Sequence, residues 1–196
     1  MIDRRTAPIG AVIAGGAGRR IGGSKALTAL AGRPLISYPL AALRAVLDEV
    51  VVVAKASTLL PELEETLWIE PEEPQHPLLG IVEALRRAGG RPVLIAACDM
   101  PLLDEATVRM LAAADPQGAP AVIAADERGL QPLLGCYQPD ALPRLVGNLA
   151  AARPLRELVE ELEPRIVHVP SERLFNVNSA ADLEYAEALL MRANGS

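Results

Sequence analysis

A chain of 196 residues that is 51% apolar and 22% charged has the composition of a globular protein long enough to bury a substantial core. A formal charge of −6 excludes a nucleic-acid-coating protein, which binds phosphate backbones through excess Lys and Arg, and no apolar run of about eighteen residues is present to span a membrane. Cys98 and Cys136 lie far apart in apolar runs, which predicts buried free thiols, a reducing compartment and a cytoplasmic protein.

In chain order, Ala11 to Ala14 reads as a buried strand that breaks into five glycines within nine residues, interleaved with Arg19 and Arg20 and ending on Lys25. Pro34 to Leu47 has helical apolar spacing, with Pro34 in the first turn. The β-branched run Glu49 to Ala54 reads as a strand covered on both faces. A short helix is expected over Ser57 to Leu67, a short strand at Trp68-Ile69, and a helix from Leu78 to Ala88. Val93 to Cys98 is the next buried strand, and Asp104 caps a helix ending near Ala114. Ala121 to Ala125 and Leu130 to Tyr137 flank a turn-rich tetrapeptide that fits a hairpin. Helices at Asp140 to Leu149 and Leu155 to Leu162, a strand at Arg165 to Val169 and a helix at Ala180 to Met191 complete the pattern. Repeated strand–helix units predict an α/β fold, a single domain over 1–196 whose mainly parallel sheet carries helices on both faces and one antiparallel piece.

The glycine loop exposes backbone N–H groups beside fixed positive charge, a setting for phosphates. It fails the dinucleotide fingerprint, because the third glycine position falls on Ile21. It also fails the P-loop pattern, because Lys25 is followed by Ala26. Asp99 follows a buried strand, where a carboxylate faces the crevice beyond the strand ends. It fits either a turn cap before Pro101 or a ligand for Mg2+. In Phe175-Asn176-Val177-Asn178-Ser179, alternation puts Asn176 and Asn178 on one side, where both amides reach one ligand; Asn178 or Ser179 also fits an N-cap. His76 and His168 have no partners at metal-ligand spacing, which argues against zinc. The acidic stretches Glu62 to Glu65 and Glu70 to Glu73 read mostly as solvated surface, with Glu70 the exception.

Taken together these motifs resemble the MobA-like nucleotidyltransferases. The resemblance rests on Ala14-Gly15-Gly16-Ala17-Gly18-Arg19-Arg20-Ile21-Gly22-Gly23-Ser24-Lys25, Cys98-Asp99-Met100-Pro101, Gln131 to Tyr137, and Phe175 to Ser179 with Asp182-Leu183. It implies a Rossmann-like three-layer sandwich of the nucleotide-diphospho-sugar transferase type. It also implies transfer of GMP from GTP to the molybdenum-bound molybdopterin cofactor, with Mg2+ and transient contact with cofactor-supplying or molybdoenzyme partners. By the same resemblance Ile13, Ala14 and Gly15 line base and ribose, Gly16, Gly18 and Arg19 cradle the β- and γ-phosphates, and Lys25 meets the α-phosphate. Asp99 holds the metal, and Asn176 and Asn178 place the acceptor. The chain departs from the family at Ser24 before the lysine, at Val53 to Lys55 after the second strand, and at Glu70 or Pro71, where the family carries an Asp thought to help read guanine. These departures leave open a cytidylyltransferase, a guanylyltransferase for a corrinoid or sugar phosphate, and a non-catalytic nucleotide-binding module.

Overall fold

The computed structural model describes residues 7–15, 25–150 and 153–194. The elements run β1 (Ile9–Ile13), β2 (Ala29–Leu30), β3 (Arg33–Pro34), α1 (Ser37–Arg44), β4 (Val50–Lys55), β5 (Thr66–Glu70), α2 (Pro77–Arg87), β6 (Val93–Ala97), α3 (Glu105–Ala113), β7 (Ala121–Asp126), β8 (Gly129–Tyr137), α4 (Ala141–Gly147), α5 (Leu155–Glu160), β9 (Arg165–His168) and α6 (Ala180–Asn194). Short 3-10 turns stand at Lys25–Leu27 and Ser171–Leu174.

Seven strands form one sheet in the order β5-β4-β1-β6-β8-β7-β9. β1 pairs in parallel with β4 and β6, and β4 with β5; β8 runs antiparallel to β6 and β7, and β9 parallel to β7. Every residue of β1 and β6 is buried, as their unbroken apolar sequences require of strands covered on both faces. One face packs against α2, α4 and α5 through residues such as Leu78, Ile81, Leu145 and Leu158. The other packs against α1 and α3 through Leu40, Leu43, Val108 and Leu111. The result is a three-layer α/β sandwich with a mostly parallel, partly mixed sheet. α6 packs outside these layers, where its Ala186 and the preceding Val177 meet Leu30 of β2 and Leu35, which follows β3.

The expected hairpin is present, with Asp126 paired to Gly129 across a two-residue turn. Asp104 caps α3, its carboxylate accepting the Thr107 N–H at 2.9 Å. Both cysteines are free and buried. No helix among the described residues is long and apolar enough to cross a membrane.

Three expectations are corrected. Ser57 to Leu67 is not a helix: Pro61 disfavours helical geometry at Leu60, Leu60 and Leu63 turn into the core, and Thr66 and Leu67 belong to β5. Pro34 does not open a helix but pairs with Ala29 in β3, and α1 begins at Ser37. Glu65 is not solvated, because its side chain is 3% exposed and ion-paired with Arg44.

Candidate active site

β1 and β6 are neighbours whose onward connections leave toward opposite flanks of the sheet, so a crevice opens beyond their carboxyl ends. Three segments distant in the sequence converge there. The ladder continues one residue past β6, with the Cys98 N–H donating to the Ile13 carbonyl at 3.1 Å, and the chain turns at Asp99 above a wholly buried Met100.

The Asn-Val-Asn segment is fixed by its middle residue. Val177 is fully buried, and its N–H donates to the Asp99 carbonyl at 2.9 Å. Alternation then leaves the asparagines outside the core. Ser179 caps α6, accepting the Asp182 N–H at 3.2 Å, while the Asp182 carboxylate reaches back to the Asn178 N–H at 2.8 Å in a capping-box arrangement. The Asn178 N–H first, and a hydrogen bond from the Ser179 side chain to the carboxylate second, hold the Asp182 carboxyl below its ordinary value.

Lys25 arrives from the third segment, on a 3-10 turn whose Ala26 is buried and whose Ala26 carbonyl accepts the Ile36 N–H at 3.4 Å. Its Nζ donates to Asp99 Oδ2 at 2.7 Å and to Asn178 Oδ1 at 2.7 Å. The Lys25 and Asp99 side chains are only 18% and 14% exposed, so the contact is stronger than a surface ion pair. Asn176 is not part of this cluster: Gln131 donates to its Oδ1 at a long 3.5 Å, and its carbonyl accepts from the Asn178 amide at 3.3 Å. Within the protein the two asparagine side chains have different partners, Asn178 on Lys25 and Asn176 on Gln131.

An ammonium held between a carboxylate and an amide oxygen marks a place where a hard cation finds oxygen donors. That chemistry fits Mg2+, which commonly takes one or two carboxylates and completes its shell with water and substrate phosphates. Among the described residues no group of three or more His, Cys, Asp or Glu could hold a metal ion, so a metal at Asp99 needs substrate oxygens.

The second part of the crevice is at the tips of β1, β4 and β5. Glu70, the last residue of β5, is 4% exposed, and its Oε2 is buried with no hydrogen-bond partner among the described residues. A Cβ at Gly15 would stand 1.9 Å from Glu70 Oε1, and one at Gly80, in the first turn of α2, 3.0 Å from Oε2. The carboxylate thus fills the space that two missing side chains leave. Burial raises its pKa to about 7, with Glu83 and Glu72 adding to the rise and Lys55 opposing it. A buried carboxylate with an orphan oxygen asks for an N–H donor.

Ile13 and Ala14 are buried at the end of β1 and can offer only backbone groups to the crevice. Gly16, Gly18 and Arg19 lie outside the described residues. His76 is not a site residue but the N-cap of α2: its Nδ1 accepts the Leu78 N–H at 3.1 Å, so Nε2 carries the proton and donates to the Arg153 carbonyl at 3.0 Å. Burial, aided by the Asp99 charge, pushes the Cys98 thiol far up, which leaves it no role as a thiolate nucleophile. Sequence reasoning did not single out Gly80 or Gln131 as site residues. Gly80 lies inside the expected helix Leu78 to Ala88 and Gln131 at the start of the Gln131 to Tyr137 motif, and only the tertiary approach to Glu70 and Asn176 sets them apart.

A family model described as the MobA-like NTP transferase domain matches residues 10–166. A protein of Deinococcus radiodurans named "Probable molybdenum cofactor guanylyltransferase" is 33% identical over 88% of this chain and 90% of its own. One of the same name from Nostoc is 31% identical over 88% of this chain and 86% of its own. Among solved structures, the molybdopterin-guanine dinucleotide biosynthesis protein A of Archaeoglobus fulgidus superposes with a TM-score of 0.74 at 25% identity, covering 93% of this chain and 98% of its own.

Proposed function

The chain belongs to the MobA-like NTP transferase family and is a nucleotidyltransferase, and we propose that it moves GMP from GTP to the phosphate of the molybdenum-bound molybdopterin cofactor. An oxygen of the acceptor phosphate attacks the α-phosphorus of GTP, the bond to the bridging oxygen breaks, and pyrophosphate leaves. The acceptor is already an anion at neutral pH, so no protein base is needed. The work left to the protein is positioning and charge stabilisation.

The observation that carries this reading is the meeting of Lys25, Asp99 and Asn178 at the switch point, each contact at 2.7 Å. When nucleotide enters, Lys25 exchanges Asp99 for α-phosphate oxygens, and Asn178 gains a free amide oxygen for the acceptor side or a bound water. Asp99 would hold a Mg2+, which would supply the positive charge that favours pyrophosphate as leaving group. Gly16, Gly18 and Arg19 belong to the phosphate cradle in this reading. Ile13, Ala14 and Gly15 supply backbone to base and ribose, and Asn176 helps to place the acceptor.

Glu70 reads the base. Guanine presents N1–H and the 2-amino group side by side, and a carboxylate accepts both, which satisfies the oxygen that is unpaired in the free protein. Names of the relatives support guanine and the molybdopterin acceptor. The test is pyrophosphate release from each of the four nucleoside triphosphates with Mg2+ and the molybdenum-loaded acceptor. GTP is the expected donor, and equal or faster release from CTP would overturn the assignment.

A further inference from the structure

Lys55 ends β4 between the tips of β1 and β5. It is paired in register with Glu70, and since Ile13 pairs with Val53, the next residue on the same face, Gly15, comes level with Lys55. Residues matched in parallel register point to one face, so Gly15, Lys55 and Glu70 form a row across the strand ends, on the side covered by α2. The Lys55 ammonium donates to the Glu72 carbonyl in an exposed contact, and the Glu72 carboxylate in turn accepts from the Ser57 N–H at 3.1 Å and its hydroxyl at 2.8 Å. The half-buried lysine is thereby held near the end of β5, close enough to oppose the charge of the Glu70 carboxylate. An ammonium has three donors, and the carbonyl of Glu72 uses one.

Guanine's edge presents one acceptor, O6, next to two donors, N1–H and the 2-amino group. A row of one cation and one carboxylate matches that order. Resting on the reading that GTP is the donor nucleotide, we propose that Lys55 is a specificity-determining residue that donates to guanine O6 while Glu70 accepts from N1–H and the 2-amino group. Cytosine offers this pair one donor and leaves one carboxylate oxygen unpaired, and adenine has no 6-oxygen for the ammonium. The loss at Glu70 is an unpaired buried polar group rather than a missing contact in solvent.

The bland role for Lys55 is to tether residues 71–73 through Glu72. The two roles separate in a cycle of protein and ligand changes. Calorimetry with Mg2+ compares GTP with 6-thioguanosine triphosphate, which keeps N1–H and the 2-amino group but puts a weakly accepting sulfur in place of O6, on the wild type and on Lys55→Met. The wild type should favour GTP, and Lys55→Met should cut the GTP-to-analogue affinity ratio about tenfold, the worth of one charged hydrogen bond. A tether alone predicts that both ligands weaken together and the ratio stays put, which would overturn the inference. Lys55→Gln, which keeps a donor on a shorter arm, should lose less of the ratio and serves if the methionine variant folds poorly. A wild type that prefers CTP to GTP overturns the donor assignment and this inference with it. A wild type that prefers GTP with an unchanged ratio in the variant overturns only the role of Lys55.

Discussion

The two halves of the crevice differ in how their charges are settled. At the β6 end, Lys25, Asp99 and Asn178 satisfy one another, and the Asp182 cap secures the loop that brings Asn178 in. At the β5 end, Glu70 is buried with an oxygen unpaired and its proton affinity raised. The first half is stable without ligand and must be opened by it. The second is a cost the fold carries until a ligand with N–H donors arrives, as binding sites often are relative to the scaffold around them. In the proposed reading, phosphate chemistry tolerates the first arrangement, because a triphosphate brings enough charge to replace the Lys25–Asp99 contact. In the same reading base selection uses the second, because a carboxylate without a partner penalises every base that leaves it unpaired.

Substitutions in the two halves should therefore behave in opposite ways. Asp99→Asn, which keeps the shape and removes the charge, should lower turnover about 100- to 1000-fold with little change in the melting curve, measured by pyrophosphate release and calorimetry. A near-normal rate would remove Asp99 from the chemistry.

Glu70→Gln should instead raise stability. The carboxyl titrates at an ordinary 4.5 in the unfolded chain and at about 7 in the fold, so between those values the folded state holds a proton that the unfolded state has lost. Its contribution to stability is fully present below pH 4.5 and is lost as pH rises through 7, a swing of about 3 kcal/mol. Glu70→Gln should flatten that slope and melt higher than the wild type at pH 8, checked by urea unfolding across pH 5 to 8. Equal slopes in both proteins would mean that Glu70 is not strained.

Gly15→Ala tests whether the carboxylate's position depends on the missing side chain. With a Cβ 1.9 Å from Oε1, Glu70 must move, and GTP affinity should fall about tenfold or more while the fold persists. The smallest effect expected is that of Ser179→Ala. Loss of the α6 cap should cost about 1 kcal/mol of stability and loosen Asn178, read as a modest fall in turnover.

Much of the framework was legible in the sequence because its signals are local. Unbroken apolar runs at β1, β4 and β6 marked buried parallel strands, Asp104 marked a helix start, and the residues between Ala125 and Leu130 marked a hairpin. The stretch after β4 misled because helical spacing of Leu60 and Leu63 survives in an irregular segment once Pro61 prevents the helix. At the site, Lys25 and Asp99 were visible as residue types in a known order, yet their contact across 74 positions is a tertiary fact. The division of labour between Asn176 and Asn178 depends on Val177 being the buried anchor. Glu70's strain depends on the absence of side chains at Gly15 and Gly80, which are remote in the chain and close in the fold.

The division between a transfer end and a base-reading end is tested most directly by steady-state GMP transfer with Asp99→Asn and Glu70→Gln side by side, with GTP and CTP as competing donors. Asp99→Asn should lose kcat for GTP while keeping its preference for GTP over CTP, and Glu70→Gln should keep most of kcat at saturating GTP while losing that preference. The reverse pattern, with selectivity lost at Asp99 and turnover lost at Glu70, would contradict the account.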